Sequence, residues 1–137
     1  MRLGAAGFFI SLYGEWERGK DLLDRAMAQS IGYPKWYHSA TTLYYYRKND
    51  FEAAYREVLK YDTPGLFWGP LLRIISLSQL EHVEEAGQQI THLLNLKPDF
   101  KEKARMLIQR YIKEDPLVEH LLQGLQKAGL PISNSKH

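Results

Sequence analysis

The chain has 137 residues, of which 45% are hydrophobic and 25% charged, the balance of a globular protein with one domain. It contains no cysteine, which excludes disulfides, thiolate metal sites and cysteine nucleophiles. The net charge is +2, and each half of the chain carries nine Lys and Arg against eight Asp and Glu. This even distribution argues against a nucleic-acid-binding arm, and no apolar run reaches the roughly 18 residues that span a bilayer. We therefore expect no nucleic-acid partner, no membrane partner and a cytoplasmic location.

Apolar residues recur at helical spacing along nearly the whole sequence, whereas strand patterns are nearly absent. Phe51, Ala54, Val58 and Leu59, for example, mark one face of a helix. Turn-forming residues separate such runs at intervals of about a dozen residues. The sequence therefore predicts an all-α fold, with helices at 3–13, 16–30, 35–47, 50–61, 67–80, 83–95, 100–113 and 116–128.

Capping residues support several of these boundaries. Asn49 and Asp115 are predicted N-caps, because their side chains can accept hydrogen bonds from the first backbone amides of a helix. Asp99 and Glu102 have the spacing of a capping box. Gly129 predicts the end of the last helix, because glycine readily adopts the left-handed conformation that follows many helices.

The predicted helices repeat along the chain. Gly14-Glu15-Trp16, Asn49-Asp50-Phe51 and Glu81-His82-Val83 each lead into a helix, at intervals of 35 and 32 residues. Each of these helices carries a small residue on its apolar face, at Gly19, Ala54 and Ala86. The period is therefore close to the roughly 34 residues of a helix-turn-helix repeat.

This pattern resembles that of the tetratricopeptide-repeat (TPR) family. The turn glycine of the family is matched by Gly14, replaced by Asn49 and absent at Glu81, and Pro98 matches the closing proline of a repeat. The resemblance implies a right-handed TPR-like α-solenoid of about three helix pairs in a single domain over 1–131. The implied repeats lie at about 2–33, 34–66 and 67–98, followed by capping helices at 99–129 and a polar tail at 132–137. The stretch 103–131 also resembles the end of TPR regions in bacterial multidomain signalling proteins, including some with nucleotide-cyclase domains.

No pattern in the sequence indicates catalysis. His82 and His92 share one face of a predicted helix but are nearly three turns apart, too far for both to bind one metal ion. Phosphate-binding glycine loops and serine nucleophile motifs are absent from the sequence. We therefore expect that the protein is not an enzyme and that it has no cofactor and no resident metal.

The TPR resemblance implies a non-catalytic protein–protein interaction module that binds a peptide or partner helix in a concave groove. By the register of the family, the groove residues are Phe8, Leu12, Trp36, Ser39, Leu43, Tyr46, Arg47, Trp68, Leu71, Ile75, Gln79, Arg105 and Gln109. This set is largely aromatic and aliphatic, so we expect an apolar or amphipathic ligand, such as a helix with an acidic residue near Arg47 or Arg105. Substituting Tyr46 or Trp68 with alanine would then lower partner affinity without lowering the melting temperature. The alternative is that Trp36 and Trp68 pack inward at repeat junctions.

The first predicted helix suggests two further hypotheses. Its segment 3–12 is apolar nearly all round, and an apolar patch of this kind usually marks an interface. Either more protein precedes Met1, or the segment packs on a second copy and makes a homo-oligomer. An alternative function is a regulatory or oligomerisation segment of a larger bacterial signalling protein, such as a nucleotide cyclase, whose catalytic part is absent.

Overall fold

The computed structural model describes residues 15–29, 37–60 and 66–132, which contain seven α-helices and no strand. The helices are α1 (Trp16–Gln29), α2 (Tyr37–Arg47), α3 (Phe51–Val58), α4 (Trp68–Gln79), α5 (Val83–Leu96), α6 (Phe100–Gln109) and α7 (Asp115–Lys127). The predicted all-α class is therefore confirmed. No helix in these ranges is long and apolar enough to cross a lipid bilayer.

Some of the sequence predictions fall outside the described residues. These are the first helix at 3–13, the self-association through 3–12, the groove residues Phe8, Leu12 and Trp36, and the tail beyond Ile132.

The packing of the helices follows chain order from α1 to α5. Helices α2 and α3 form one helical hairpin, α4 and α5 form a second, and α2 also packs beside α4. Helix α7 breaks this order, because it packs against α4 as well as against α6. Helix α4 thus lies between α2, α3, α5 and α7. As a result, every residue of α4 from Gly69 to Ser78 is buried except Arg73, which is half-buried.

The turn between α2 and α3 is built by a left-handed residue. Asn49 has a φ of 63°, and the next amide, that of Asp50, donates a hydrogen bond to the carbonyl oxygen of Tyr45 at 3.0 Å. This pattern closes the end of α2 as a Schellman motif. The Asp50 carboxylate caps α3 by accepting a hydrogen bond from the Ala53 amide. The prediction that Asn49 is the N-cap is therefore wrong, because Asp50 holds that position. Asn49 instead supplies the left-handed residue of the turn, a conformation that asparagine tolerates.

The turn between α4 and α5 is closed by the same motif, but its left-handed position is held by a residue type that disfavours this conformation. Glu81 has a φ of 64°, and the amide of His82 donates to the carbonyl oxygen of Leu77 at 2.9 Å. A side chain with a Cβ atom is strained in this conformation. The missing turn glycine noted in the sequence is therefore a local source of strain.

Replacing Glu81 with glycine is expected to raise the free energy of unfolding by about 1 kcal/mol, because it relieves a left-handed conformation that costs an L-residue about 1–2 kcal/mol. The gain is partly offset by the greater freedom of glycine in the unfolded chain. Urea denaturation of the variant and the wild type measures the difference. Asn49→Gly is the comparison variant and should not raise stability, since asparagine tolerates this geometry and its Oδ1 also lies 3.0 Å from His120 Nε2, a contact that glycine removes. A larger gain at Asn49 than at Glu81 would contradict the explanation.

The other predicted caps are met in part. Asp99 precedes α6, but its side chain makes no capping hydrogen bond and instead pairs with Lys103 at 2.9 Å. Helix α7 begins at Asp115 itself, so Asp115 lies in the first turn and is not the N-cap. Gly129 follows α7 with a φ of 98°, as predicted for the end of that helix.

Candidate functional site

Predicted groove residues of α2 and α4 lie in the interior of the protein. Leu43 is 2% exposed, and Tyr46, Leu71 and Ile75 are 0% exposed. Both Tyr46 and Ile75 contact helix α7, which packs along α4 and reaches α2 through the Tyr46 side chain. The face that the sequence assigns to an external ligand is therefore occupied here by a helix of the same chain. We call this face, formed by α2 and α4 beneath α7, the receiving face.

The closest approach between α7 and the receiving face is at Gly124. A Cβ atom built at this position would collide with the Tyr46 hydroxyl and lie 3.1 Å from Cβ and from Cγ2 of Ile75. The hydroxyl of Ser78 donates a hydrogen bond to the Gly124 carbonyl oxygen at 2.8 Å. Glycine fits this crossing closely, because an added side chain would require Tyr46 and Ile75 to shift or α7 to move away from α4.

Apolar burial supplies most of the stabilisation of α7. Five apolar side chains of the helix are at most 4% exposed: Leu117, Val118, Leu121, Leu122 and Leu125. Complete burial of one leucine side chain is worth about 1.5–3 kcal/mol, more than an exposed ion pair. The polar contacts around α7 therefore determine its orientation more than they stabilise its packing on the rest of the protein.

A chain of hydrogen bonds runs along one edge of α7. The buried Tyr46 hydroxyl donates to the carbonyl oxygen of His120 at 3.3 Å and accepts from Gln79 Nε2 at 3.0 Å. Lys127 Nζ then donates to Gln79 Oε1 at 3.3 Å. Burial raises the pKa of Tyr46 to about 12, which keeps this hydroxyl protonated and able to donate.

The two arginines of the predicted groove bind two glutamates: Arg47 binds Glu114, the residue before α7, and Arg105 binds Glu119 in the first half of α7. Arg47 Nε donates to Glu114 Oε1 at 3.2 Å, and the same oxygen accepts from Trp16 Nε1 at 3.2 Å. Arg105 holds both carboxylate oxygens of Glu119 through its two terminal nitrogens. An acidic residue near these arginines is what the sequence predicts for the ligand. Helix α7 has this chemistry.

The other described groove residues are not brought together into one open surface. Ser39 is buried, Gln109 is exposed on α6, and Gln79 is half-buried beside Tyr46. Trp68 is half-buried and stacks on Phe67, with the ring centroids 5.4 Å apart. Trp68 therefore packs in an aromatic cluster at the start of α4, apart from α7.

Sequence reasoning missed a cleft of about 580 Å³ beside the first half of α7. The cleft is lined by Arg47, Asn49, Glu114, Pro116, Leu117, Glu119, His120 and Gln123. His120 Nε2 lies 3.0 Å from Asn49 Oδ1, and its ring packs on Tyr46 with the centroids 4.4 Å apart. The signal that could have indicated the cleft is the placement of Glu114 and Glu119, which both flank the apolar face of the last predicted helix. Among the described residues no group of three or more His, Asp or Glu is placed to hold a metal ion.

His120 is expected to make the packing of α7 on the receiving face sensitive to acid. Burial lowers its pKa below the ordinary value of 6.5, although its hydrogen-bonding contact with the Tyr46 backbone opposes the shift. Below pH 6.5 the unfolded chain therefore binds a proton that the folded chain resists, so stability is full above this pH and lost as the pH falls. Denaturant titrations at acidic and neutral pH should show a smaller loss for His120→Gln than for the wild type. An identical pH dependence in the two proteins would contradict this role for His120.

These contacts define an all-α protein in which one amphipathic helix is seated on the face of two neighbouring helical hairpins. No protein-family model, curated protein or solved structure matches the chain. The evidence on function is therefore the receiving face itself, which binds an amphipathic helix through apolar burial, a close crossing and charged contacts.

Proposed function

We propose that the chain is a non-catalytic protein-interaction module, a TPR-like α-solenoid, which binds a peptide or helix of a protein partner on the receiving face. The successive hairpins α2–α3 and α4–α5 support the solenoid part of the proposal. So do the left-handed turns at Asn49 and Glu81, which stand at equivalent positions of two repeats. The proposal includes a cytoplasmic location and no nucleic-acid or membrane partner, in keeping with the even charge and the absence of cysteine.

The observation that carries this proposal is the way in which the receiving face holds α7. Its side chains accept an amphipathic helix by apolar burial, by a close crossing at Gly124, and by charged contacts from Arg47. Helix-in-groove recognition uses the same combination, with apolar anchors spaced along one helix face and charges at the rim. A face with these properties recognises helices of a definite pattern, which is the work of an interaction module.

The test is a screen of displayed peptides against the full chain, followed by affinity measurements on the peptides that it selects. Arg47→Glu reverses the exposed charge at the rim and, in a chain that also carries Glu114→Gln so that α7 itself is not repelled, should weaken acidic peptides at least tenfold, because like charges at an interface repel. Arg25→Glu is the matched control, since Arg25 is exposed on α1 and pairs locally with Asp21 at 2.6 Å. It should change affinity less than twofold. Selected peptides that are equally sensitive to both variants, or a screen that selects none, would contradict the proposed function.

A further inference from the structure

We infer that α7 is a built-in ligand of the receiving face, and that a protein partner binds by supplying an amphipathic helix that takes its place. The inference rests on the proposed function and adds to it both the regulation of the site and the pattern of the helix it selects. It follows from three features of the contact between α7 and the receiving face. These are the backbone acceptors of its buried hydrogen bonds, the connection of α7 to the rest of the chain, and the residue pattern that fits the face.

The buried polar bonds of the receiving face are directed at helix backbone. Tyr46 donates to the carbonyl oxygen of His120, and Ser78 donates to that of Gly124. Both hydroxyl-bearing residues are at most 3% exposed. A carbonyl oxygen is present at every position of every helix, so these bonds do not depend on side chains that only α7 possesses. Another helix in the same place would therefore offer both hydroxyls the same kind of acceptor.

Exchange of α7 would separate it from α4 and from α6, where Arg105 binds Glu119, but would leave the chain connection between α6 and α7 intact. Helix α6 ends at Gln109 and α7 begins at Asp115, so a short non-helical segment joins them. At its two ends α7 is held by partly exposed contacts, Arg47 with Glu114 and Gln79 with Lys127. Such contacts contribute at most about 1 kcal/mol each, and water competes for them. The tether keeps α7 at an effective concentration of about 1 mM near the face. A partner helix at a lower concentration must therefore bind the face more tightly than α7 does.

The receiving face reads a pattern along α7 that the partner must reproduce. The partner needs a glycine or a comparably small residue at the crossing, where Gly124 stands. It needs apolar residues three and seven positions earlier, as at Leu121 and Leu117, which are 0% and 2% exposed. It also needs an acidic residue ten positions earlier to meet Arg47, as Glu114 does. The partner is therefore an acidic amphipathic helix with a small residue near its carboxyl end.

The experiment locks α7 to the face and measures binding of a fluorescent α7 peptide in trans. The full chain carries Gln79→Cys and Lys127→Cys, two residues already in contact at the surface, and no other cysteine is present to react. A cleavable bismaleimide joins the two thiols. The peptide, covering residues 113–129, is expected to bind the open chain, to bind at least tenfold more weakly after cross-linking, and to regain its affinity when the linker is cleaved. A peptide with Gly124→Leu should bind neither form.

Other outcomes overturn the inference. Equal binding to the locked and open chains would place the peptide elsewhere, and no binding at about 1 mM would show that α7 does not exchange. A dimer of the open chain that cross-linking abolishes would assign the face to a second copy. Exchange of the α7 peptide, with no partner found in the screen, would contradict the proposed function but not the exchange. A selected peptide that binds locked and open chains equally would contradict the inference but not the proposed function.

Discussion

Replacing Tyr46 with alanine is expected to lower the free energy of unfolding by about 3–5 kcal/mol, the usual cost of removing a large aromatic side chain from a core. Tyr46 is 0% exposed and packs against Phe51 and His120, with ring centroids 5.2 and 4.4 Å away. The substitution also removes the hydroxyl that joins Gln79 to the His120 carbonyl. Thermal melting should show a decrease of about 10 °C or more. An exposed groove residue would leave the melting temperature unchanged.

Two further substitutions separate the causes of this loss. Tyr46→Phe keeps the ring and removes the hydroxyl, so it should cost about 1–2 kcal/mol. Tyr111→Ala removes an exposed tyrosine, 48% accessible, and should cost less than about 1 kcal/mol. If Tyr46→Ala has the same melting temperature as the wild type, then Tyr46 is not covered by α7 and the receiving face is open.

Replacing Gly124 with alanine is expected to destabilise the protein by about 1–2 kcal/mol, although alanine is the better helix former by about 1 kcal/mol. The added methyl group meets the Tyr46 hydroxyl and two carbon atoms of Ile75, all in a buried and closely packed crossing. Relief requires α7 to move away from α4, which weakens the hydrogen bond from Ser78. Urea denaturation measures the change.

Gly87→Ala is the matched control for this substitution. Gly87 lies within α5, and a Cβ atom built there has no neighbour within 4 Å. The variant should therefore gain most of the helix propensity difference, about 1 kcal/mol, and become more stable than the wild type. The two glycine substitutions thus have opposite expected signs. A stabilising effect of Gly124→Ala would show that α7 does not cross the receiving face closely.

The helices could be predicted from the sequence because their signals are local. Apolar spacing and turn residues placed α5 at 83–95, and the structure has it at Val83–Leu96. Left-handed turns at Asn49 and Gly129 follow from the conformational tolerance of these residue types. Caps were less predictable, because Asp99 has a competing partner in Lys103. The N-cap position of α7 is taken by Glu114 in place of the predicted Asp115, and the Glu114 carboxylate is engaged by Arg47 and Trp16. A side chain that makes a tertiary contact is no longer available to the helix end.

The position of α7 could not be predicted, because periodicity shows which face of a helix is apolar but not what covers it. The stripe that contains Leu43, Leu71 and Ile75 has the same composition in an open groove as in a core. One sequence signal did point to the answer. Gly124 lies inside a predicted helix at a cost of about 1 kcal/mol, and such a glycine usually marks a close approach of another element.

The departure of α7 from chain order has a consequence for how the protein folds. From α1 to α5, neighbours in the chain are neighbours in space, and such structures can form or melt one unit at a time. Helix α7 joins distant parts instead: its contacts link Trp16 to Glu114 across 98 positions and Tyr46 to His120 across 74. Contacts of this range slow folding, because the loop must close before they form. While α7 is in place, they also couple the unfolding of α1 and α2 to that of α4 and α7.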